Sequence, residues 1–557
     1  MMLKRVCAIP LGIICLAGAQ EHFEVKSVVH PVVAKLAPPK LVGGLSDTAF
    51  AVSTTSAKAS KHVQLGIAYL NAPWDFEAYR HFCAAAQADP DCLMAYWGIT
   101  MSLAGRNHEF RRQRKAAIER MVILLEAKKG VPLEQGYAYA AARLITDGVR
   151  SSGEAFQAVA RQFPNDVQSR LLGNFLTRDG FDGNGEPRIG QQRASDSLKK
   201  MVEENPDNLS VISFWVTSQS ESPLKGEKLR ADVLPYARKL VEKQPESPIF
   251  HLVLTHVEAK CGNAALALAA CQKAIDFYEN YMNAEGVSRY DCDGWVRAKI
   301  YQANLYTVLG HYEKSLPVTE ELASLKVDPE RVFSRGASLL MWEGRTMGAR
   351  LTMGRSSREE WSAAQKQLEA LSDEEWHEDK SFAAVYRDNL AFYFGVRKAL
   401  AANDFKVAEG LFGLLIQHAQ SLEGMKDAVA KTSSYSDWVR ARDTMGVAVL
   451  ELRGMLAMQN EGASRLGAIN YIKGAVERQG SPTNLLPAAI DYPMQARLGA
   501  FYLALGEPGK AALAYREGLD FRPNHVSVLE GYRNALIKLD RKDTAEQIQK
   551  RIELIKD

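Results

Sequence analysis

The feature that most constrains this chain is a spacing. Leu65, Gly66, Tyr69, Ala78, Phe82, Ala85 and Pro90 stand at intervals that fit two short helices packed face to face. Gly66 and Ala78 lack bulk, so the helices can approach closely, while Leu65, Tyr69 and Phe82 fill the space between them. Pro90 has no amide hydrogen and clashes with a continuing turn, which ends the second helix. A near copy stands close to the other end of the sequence, at Leu498, Gly499, Tyr502, Ala511, Tyr515 and Pro523, with Gly506 between its two helices. One such hairpin cannot bury its apolar face alone, so its recurrence predicts an array of stacked hairpins.

The 557 residues are too many for one compact core, whereas a repeat array grows along a single axis. Fainter units end at Pro164, Pro206 and Pro245, and two more turn at Gly262 and Gly310. The spacing resembles that of the tetratricopeptide repeat (TPR). It implies an all-α fold in which helix-turn-helix repeats form a right-handed superhelical solenoid. The expected divisions are a signal peptide over 1–19, a flexible arm over 20–60, a first array over 61–330, an irregular helical section over 331–380, and a second array with a capping helix over 381–557. Between the Gly262 and Gly310 units about fourteen residues exceed the usual period of about 34, covering Glu279 to Asp293. Insertions in solenoids map to loops on one face, so this stretch is a candidate functional loop.

Lys4 and Arg5 precede an apolar run from Val6 to Leu16 and the small residues Ala17, Gly18 and Ala19, the pattern of a secretory signal. The chain is therefore expected to be exported, with no later span apolar enough for a bilayer. A formal net charge of +3 gives no reason to expect nucleic acid. Cys83, Cys92, Cys261, Cys271 and Cys292 follow the signal with no zinc spacing, and read as small buried residues.

The segment Asp89-Pro90-Asp91-Cys92-Leu93-Met94-Ala95-Tyr96-Trp97-Gly98-Ile99 resembles a block found in a group of exported bacterial TPR proteins. Val52-Ser53-Thr54-Thr55-Ser56, Tyr492-Pro493, Ala496-Arg497-Leu498-Gly499 and Tyr515-Arg516-Glu517 extend the resemblance over nearly the whole chain after the signal. It implies a periplasmic or secreted repeat protein. The group often carries a histidine pair on one central helix and a His-Met-Pro-Ser-His block on a later one. Here His251 fits the first, His256 is displaced by one position, and Val296 to Ile300 hold neither histidine of the second. No metal or other cofactor is expected.

Five residues apart on a helix, His251 and His256 face different sides, unlike the pair four apart that chelates one zinc. His251 falls at the bulky interhelical position and His256 at the concave groove. On the same face Lys260, Arg297 and Asn304 complete a polar, positive patch suited to a carboxylate or an acidic peptide. Asp179 to Glu186 looks faintly like a calcium loop but lacks its carboxylates at the required positions. No catalytic motif is present, so the chain is not expected to be an enzyme. The sequence points to an exported scaffold that binds a protein or peptide in its concave groove. The competing readings are a metal-dependent enzyme or metal binder derived from the histidine site, and a component of envelope polysaccharide or outer-membrane assembly.

Overall fold

A computed structural model describes residues 23–41, 50–105, 109–182, 186–221, 226–371, 381–459, 463–480 and 482–556. The proposed signal segment and residues 372–380 of the irregular section lie outside them. The protein is an all-α TPR-type solenoid. From Ala57 the chain runs as successive helix pairs: Ala57–Asn71 with Asp75–Ala88, Leu93–Ser102 with Arg111–Glu126, Pro132–Thr146 with Val149–Gln162, and Val167–Leu176 with Ile189–Glu204. Leu209–Ser220 with Leu234–Lys243, Pro248–Lys260 with Ala264–Glu285, and Asp293–Val308 with Tyr312–Ser324 make the fifth, sixth and seventh. The eighth is irregular, Arg335–Leu339 and Met347–Thr352 joined through a π-turn at Leu340–Gly344, then Arg358–Glu369. Ser381–Ala401 with Phe405–Gly424, Tyr435–Ala457 with Ala463–Arg478, Met494–Ala504 with Pro508–Phe521, and Val526–Lys538 with Lys542–Lys556 complete twelve pairs among the described residues. Each helix packs on its neighbour in sequence, and the first helix of one pair touches the first helix of the next along much of the array, so first helices line the inner face.

The small residues act as the spacing predicts. A Cβ added at Gly66 would stand 2.7 Å from the ring of Phe82, and one at Gly98 would stand 2.1 Å from it. Tyr515 occupies the same niche near the other end, 2.8 Å from a Cβ at Gly499 and 2.3 Å from one at Gly531. Leu65, Ala78, Phe82, Ala85, Leu498, Ala511 and Tyr515 are buried, while Tyr69 and Tyr502 are half-buried. Pro90 and Pro523 follow closely on helices ending at Ala88 and Phe521.

The array winds far enough to meet itself. Asn71 donates to Gln168 at 2.8 Å and to Ser210 at 2.9 Å, and Ser213 donates to the Asn71 carbonyl at 2.7 Å, which ties the first pair to the fourth and fifth. The stretch expected to be a functional loop, Glu279 to Asp293, instead prolongs the second helix of the sixth pair to Glu285. Gly286 caps it in the left-handed conformation at φ 68°. Its last turns carry Tyr281 and Glu285 onto the first pair. Tyr281 meets the Trp74 ring at 4.7 Å and donates to Glu77, while Arg80 pairs with Glu77 at 2.7 Å and Glu285 at 3.1 Å. The insertion is a latch rather than a free loop.

The segment expected to be a flexible arm is tied down where it is described. It forms short helices at Val25–Val28 and Pro31–Ala34. The buried Tyr79 hydroxyl accepts from the His30 amide at 2.9 Å and donates to the Val28 carbonyl at 2.7 Å, and Arg80 donates to the Ala37 carbonyl at 2.9 Å. Proline and glycine mark the absence of helix periodicity here, but they do not report on long-range hydrogen bonds. Near the other end, Asn524 donates to the Gly262 carbonyl at 2.7 Å, and Pro523 lies where a Cβ on Gly262 would be, 2.4 Å away.

Among the described residues, Cys83, Cys92, Cys261, Cys271 and Cys292 are buried thiols. Among the described residues there are no β-strands beyond two isolated bridges, and no helix is long and apolar enough to cross a membrane.

Candidate binding groove

The inner lining of the second half is built by first helices, and it is not empty. The 479–493 segment, which joins the tenth pair to the eleventh, crosses it as a strap. Asn484 and Leu485 take left-handed conformations at φ 55° and 53°, and Thr483 bridges Leu486 across them. Asn tolerates the left-handed region, whereas it costs Leu485 about 1–2 kcal/mol, and the Leu486 amide closes the turn on the Thr483 carbonyl at 3.0 Å.

What holds it is mainly contact to its main chain. The Asn484 amide donates to both carboxylate oxygens of Glu221 at 2.8 and 2.9 Å, and its carbonyl accepts from Arg297. Arg440 donates to the Pro487 carbonyl at 2.9 Å, and Arg350 donates to the Ala489 carbonyl at 2.9 Å. These partners come from the fifth, seventh, eighth and tenth pairs. Leu486, Pro487, Ala488 and Ile490 are buried beneath them.

The π-turn sets the polar floor of the groove. Its extra residue directs Glu343 between two arginines, at 2.9 Å from Arg350 and 2.8 Å from Arg440. Burial alone would raise the Glu343 carboxyl, but the two guanidiniums outweigh it and hold its pKa down to about 2. The pairing fixes both arginines with their remaining N–H groups turned to the strap. Further along, Asp491 accepts from His525 at 2.9 Å. Burial would raise the Asp491 carboxyl, yet His525 beside it keeps it below the usual range.

The four groove residues picked from sequence do gather along this region, in roles different from those expected. His256 is fully buried, with Nδ1 2.6 Å from the Tyr301 hydroxyl and Nε2 3.2 Å from the Ser220 carbonyl. Burial, followed by the nearby Lys260, pushes its pKa down to about 3. It is a neutral structural group and offers nothing to a ligand. Lys260 donates to the same Ser220 carbonyl, and burial lowers it to about 8, with Glu221 opposing and Arg522 assisting. Arg297 is fixed by Asp293 at 3.0 Å and holds the strap. Asn304 is buried on the same helix as Arg297. The patch expected to await an acidic peptide is therefore engaged by the chain itself.

His251 sits apart from His256. Its Nε2 lies 2.8 Å from the Pro245 carbonyl and its ring stacks on Phe277 at 5.4 Å. Among the described residues no three His, Cys, Asp or Glu side chains gather as a metal site would require. The middle of the faint calcium-like loop, 183–185, lies outside the described residues, and Asp179 caps the following helix by accepting from the Gly190 and Gln191 amides.

Glu221, Arg350, Arg440, Glu343 and the strap escaped sequence reasoning. The available signal was the run from Gln479 to Pro493, an unusually long connection for a helical hairpin array.

No protein-family profile and no curated protein matches the chain. Solved structures do. Human IFIT1, as a dimer with m7Gppp-AAAA, is 12% identical over 90% of this chain and 91% of its own, with a TM-score of 0.34. The TPR domain of P58(IPK) is 14% identical over 87% and 99%, at 0.19, and yeast Tom70 is 12% identical over 81% and 99%, at 0.21. At these identities and scores the likeness says nothing of what this chain binds.

Proposed function

We propose that this protein is an exported helical-repeat scaffold whose inner face holds an extended segment of a partner protein or peptide. One observation carries the reading: side chains from four separate repeats converge on the main chain of a single extended segment. Amides and carbonyls recur along any polypeptide, so a lining that bonds to them is suited to peptide, with side-chain pockets supplying the selectivity. The arginines facing inward are largely paired, Arg335 with Asp437, Arg497 with Glu451, and Arg350 and Arg440 sharing Glu343. Such pairing leaves donor geometry without the excess charge that phosphate-backbone binding demands. The Lys4 to Ala19 pattern supports export, and the resemblance to exported bacterial TPR proteins supports a periplasmic or secreted location.

A photoreactive amino acid placed at Glu221 tests the reading in the native cell, with one at the exposed, outward Lys115 as control. The expected result is an adduct to a defined partner segment from position 221 and none from 115. Adducts from both positions alike, or from neither, would remove the groove from the account.

A further inference from the structure

We infer that the strap is a resident stand-in for the partner, and that the partner's bound segment shares its chemistry: a tight turn followed by an uncharged, apolar stretch carrying proline. The inference rests on the groove reading above and adds to it a competitor and a ligand class.

The strap has a pinned base and a separable tip. At the base, Gln479 donates to the Ile490 and Tyr492 carbonyls at 3.0 Å each and accepts from the Met494 amide at 2.7 Å, closing the loop between the helices Ala463–Arg478 and Met494–Ala504. The tip, Pro482 to Ala489, carries no charged side chain. Three of its anchors, Glu221 and Arg297 at the turn residue Asn484 and Arg440 at Pro487, address backbone atoms that another segment with the same turn would present equally well. Leu486, Pro487 and Ala488 fill the buried positions, and these are the side chains a competitor must match. With the base pinned, the tip can leave without unwinding either flanking helix. The positive patch read from sequence therefore selects for backbone carbonyls rather than for acidic side chains.

The probe is a fluorescent peptide of sequence Pro-Thr-Asn-Leu-Leu-Pro-Ala-Ala-Ile, the strap's own 482–490. It is titrated by anisotropy against the unmodified full chain and against a full chain in which 482–489 is replaced by eight glycine and serine residues, with circular dichroism and thermal melting to establish folding. The expected result is binding to the replaced chain at least tenfold tighter than to the unmodified one, and loss of that gain when Glu221→Ala and Arg297→Ala are added. Equal binding to both chains, or no binding to a folded replaced chain, overturns the inference. Should the replaced chain not fold, the unmodified chain is saturated with peptide and read by hydrogen exchange. Faster exchange at 483–489 supports displacement, and unchanged exchange there overturns it. A partner crosslinked from position 221 while this peptide fails would leave the proposed function standing and this inference fallen.

Discussion

Where the first pair meets the sixth, closure is made by side chains: Arg80 lies between Glu77 and Glu285, with Tyr281 against Trp74. Where the strap crosses the inner face of the second half, closure is made mainly to main-chain atoms. The difference teaches which contact is replaceable. A side-chain latch recognises one partner in one register. A main-chain clamp accepts any extended segment with fitting small apolar groups. The first half is therefore fastened, and the second is occupied.

The largest effect should come from breaking the fastening. Arg80→Ala leaves Glu77 and Glu285 without their buried cation, and should cost about 3 kcal/mol in urea unfolding. A loss below about 1 kcal/mol would show that the latch is ornamental. Gly98→Ala drives a methyl against the Phe82 ring, for which overpacking of about 1–3 kcal/mol is expected. Because Gly531 faces Tyr515 in the same way, Gly531→Ala should behave alike, and a difference between the two would separate the halves in rigidity.

Acid sharpens the comparison further. His62 and His81 stand with their Nδ1 atoms 3.0 Å apart beside the latch, and burial first, then neighbouring cationic and imidazole groups, lowers them to about 4 and about 3. The unfolded chain takes up these protons below about 6.5 and the folded chain does not, so stability is full above that value and declines as pH falls toward 4. Urea midpoints measured from pH 7 to 4 should fall steadily, and replacing the pair by His62→Gln with His81→Gln should flatten that slope. The smallest effect belongs to the strap. Arg297→Ala removes its hydrogen bond to Asn484, worth about 0.5–1.5 kcal/mol, and its partly exposed pair with Asp293, and should show as faster amide exchange in the strap with the global melt nearly unmoved.

Much of this architecture was legible because TPR packing leaves steric marks. Gly66 and Gly98 around Phe82, and Gly499 and Gly531 around Tyr515, can be only what their neighbours' rings permit. The latch was misread because the extra residues after Glu279 look like an insertion, and spacing does not say whether an insertion continues a helix. The groove was found in part. Lys260, Arg297 and Asn304 do gather there, since helical register fixes the face of a side chain. That Arg297 holds the strap and Lys260 the Ser220 carbonyl depends on contacts between residues distant in sequence, which local pattern does not encode. His256 shows the same limit: register put it on the inner side, but its burial comes from Tyr301 and Ser220.

The central claim, that one closure is fastened and the other only occupied, is tested most directly by native-state hydrogen exchange of the unmodified protein across low denaturant concentrations. Amides of Asn484 to Ala489 should exchange through a local opening that denaturant hardly affects, while amides of Tyr281 to Glu285 should exchange only with unfolding of the array. Strap amides that share the denaturant dependence of the latch would contradict the account.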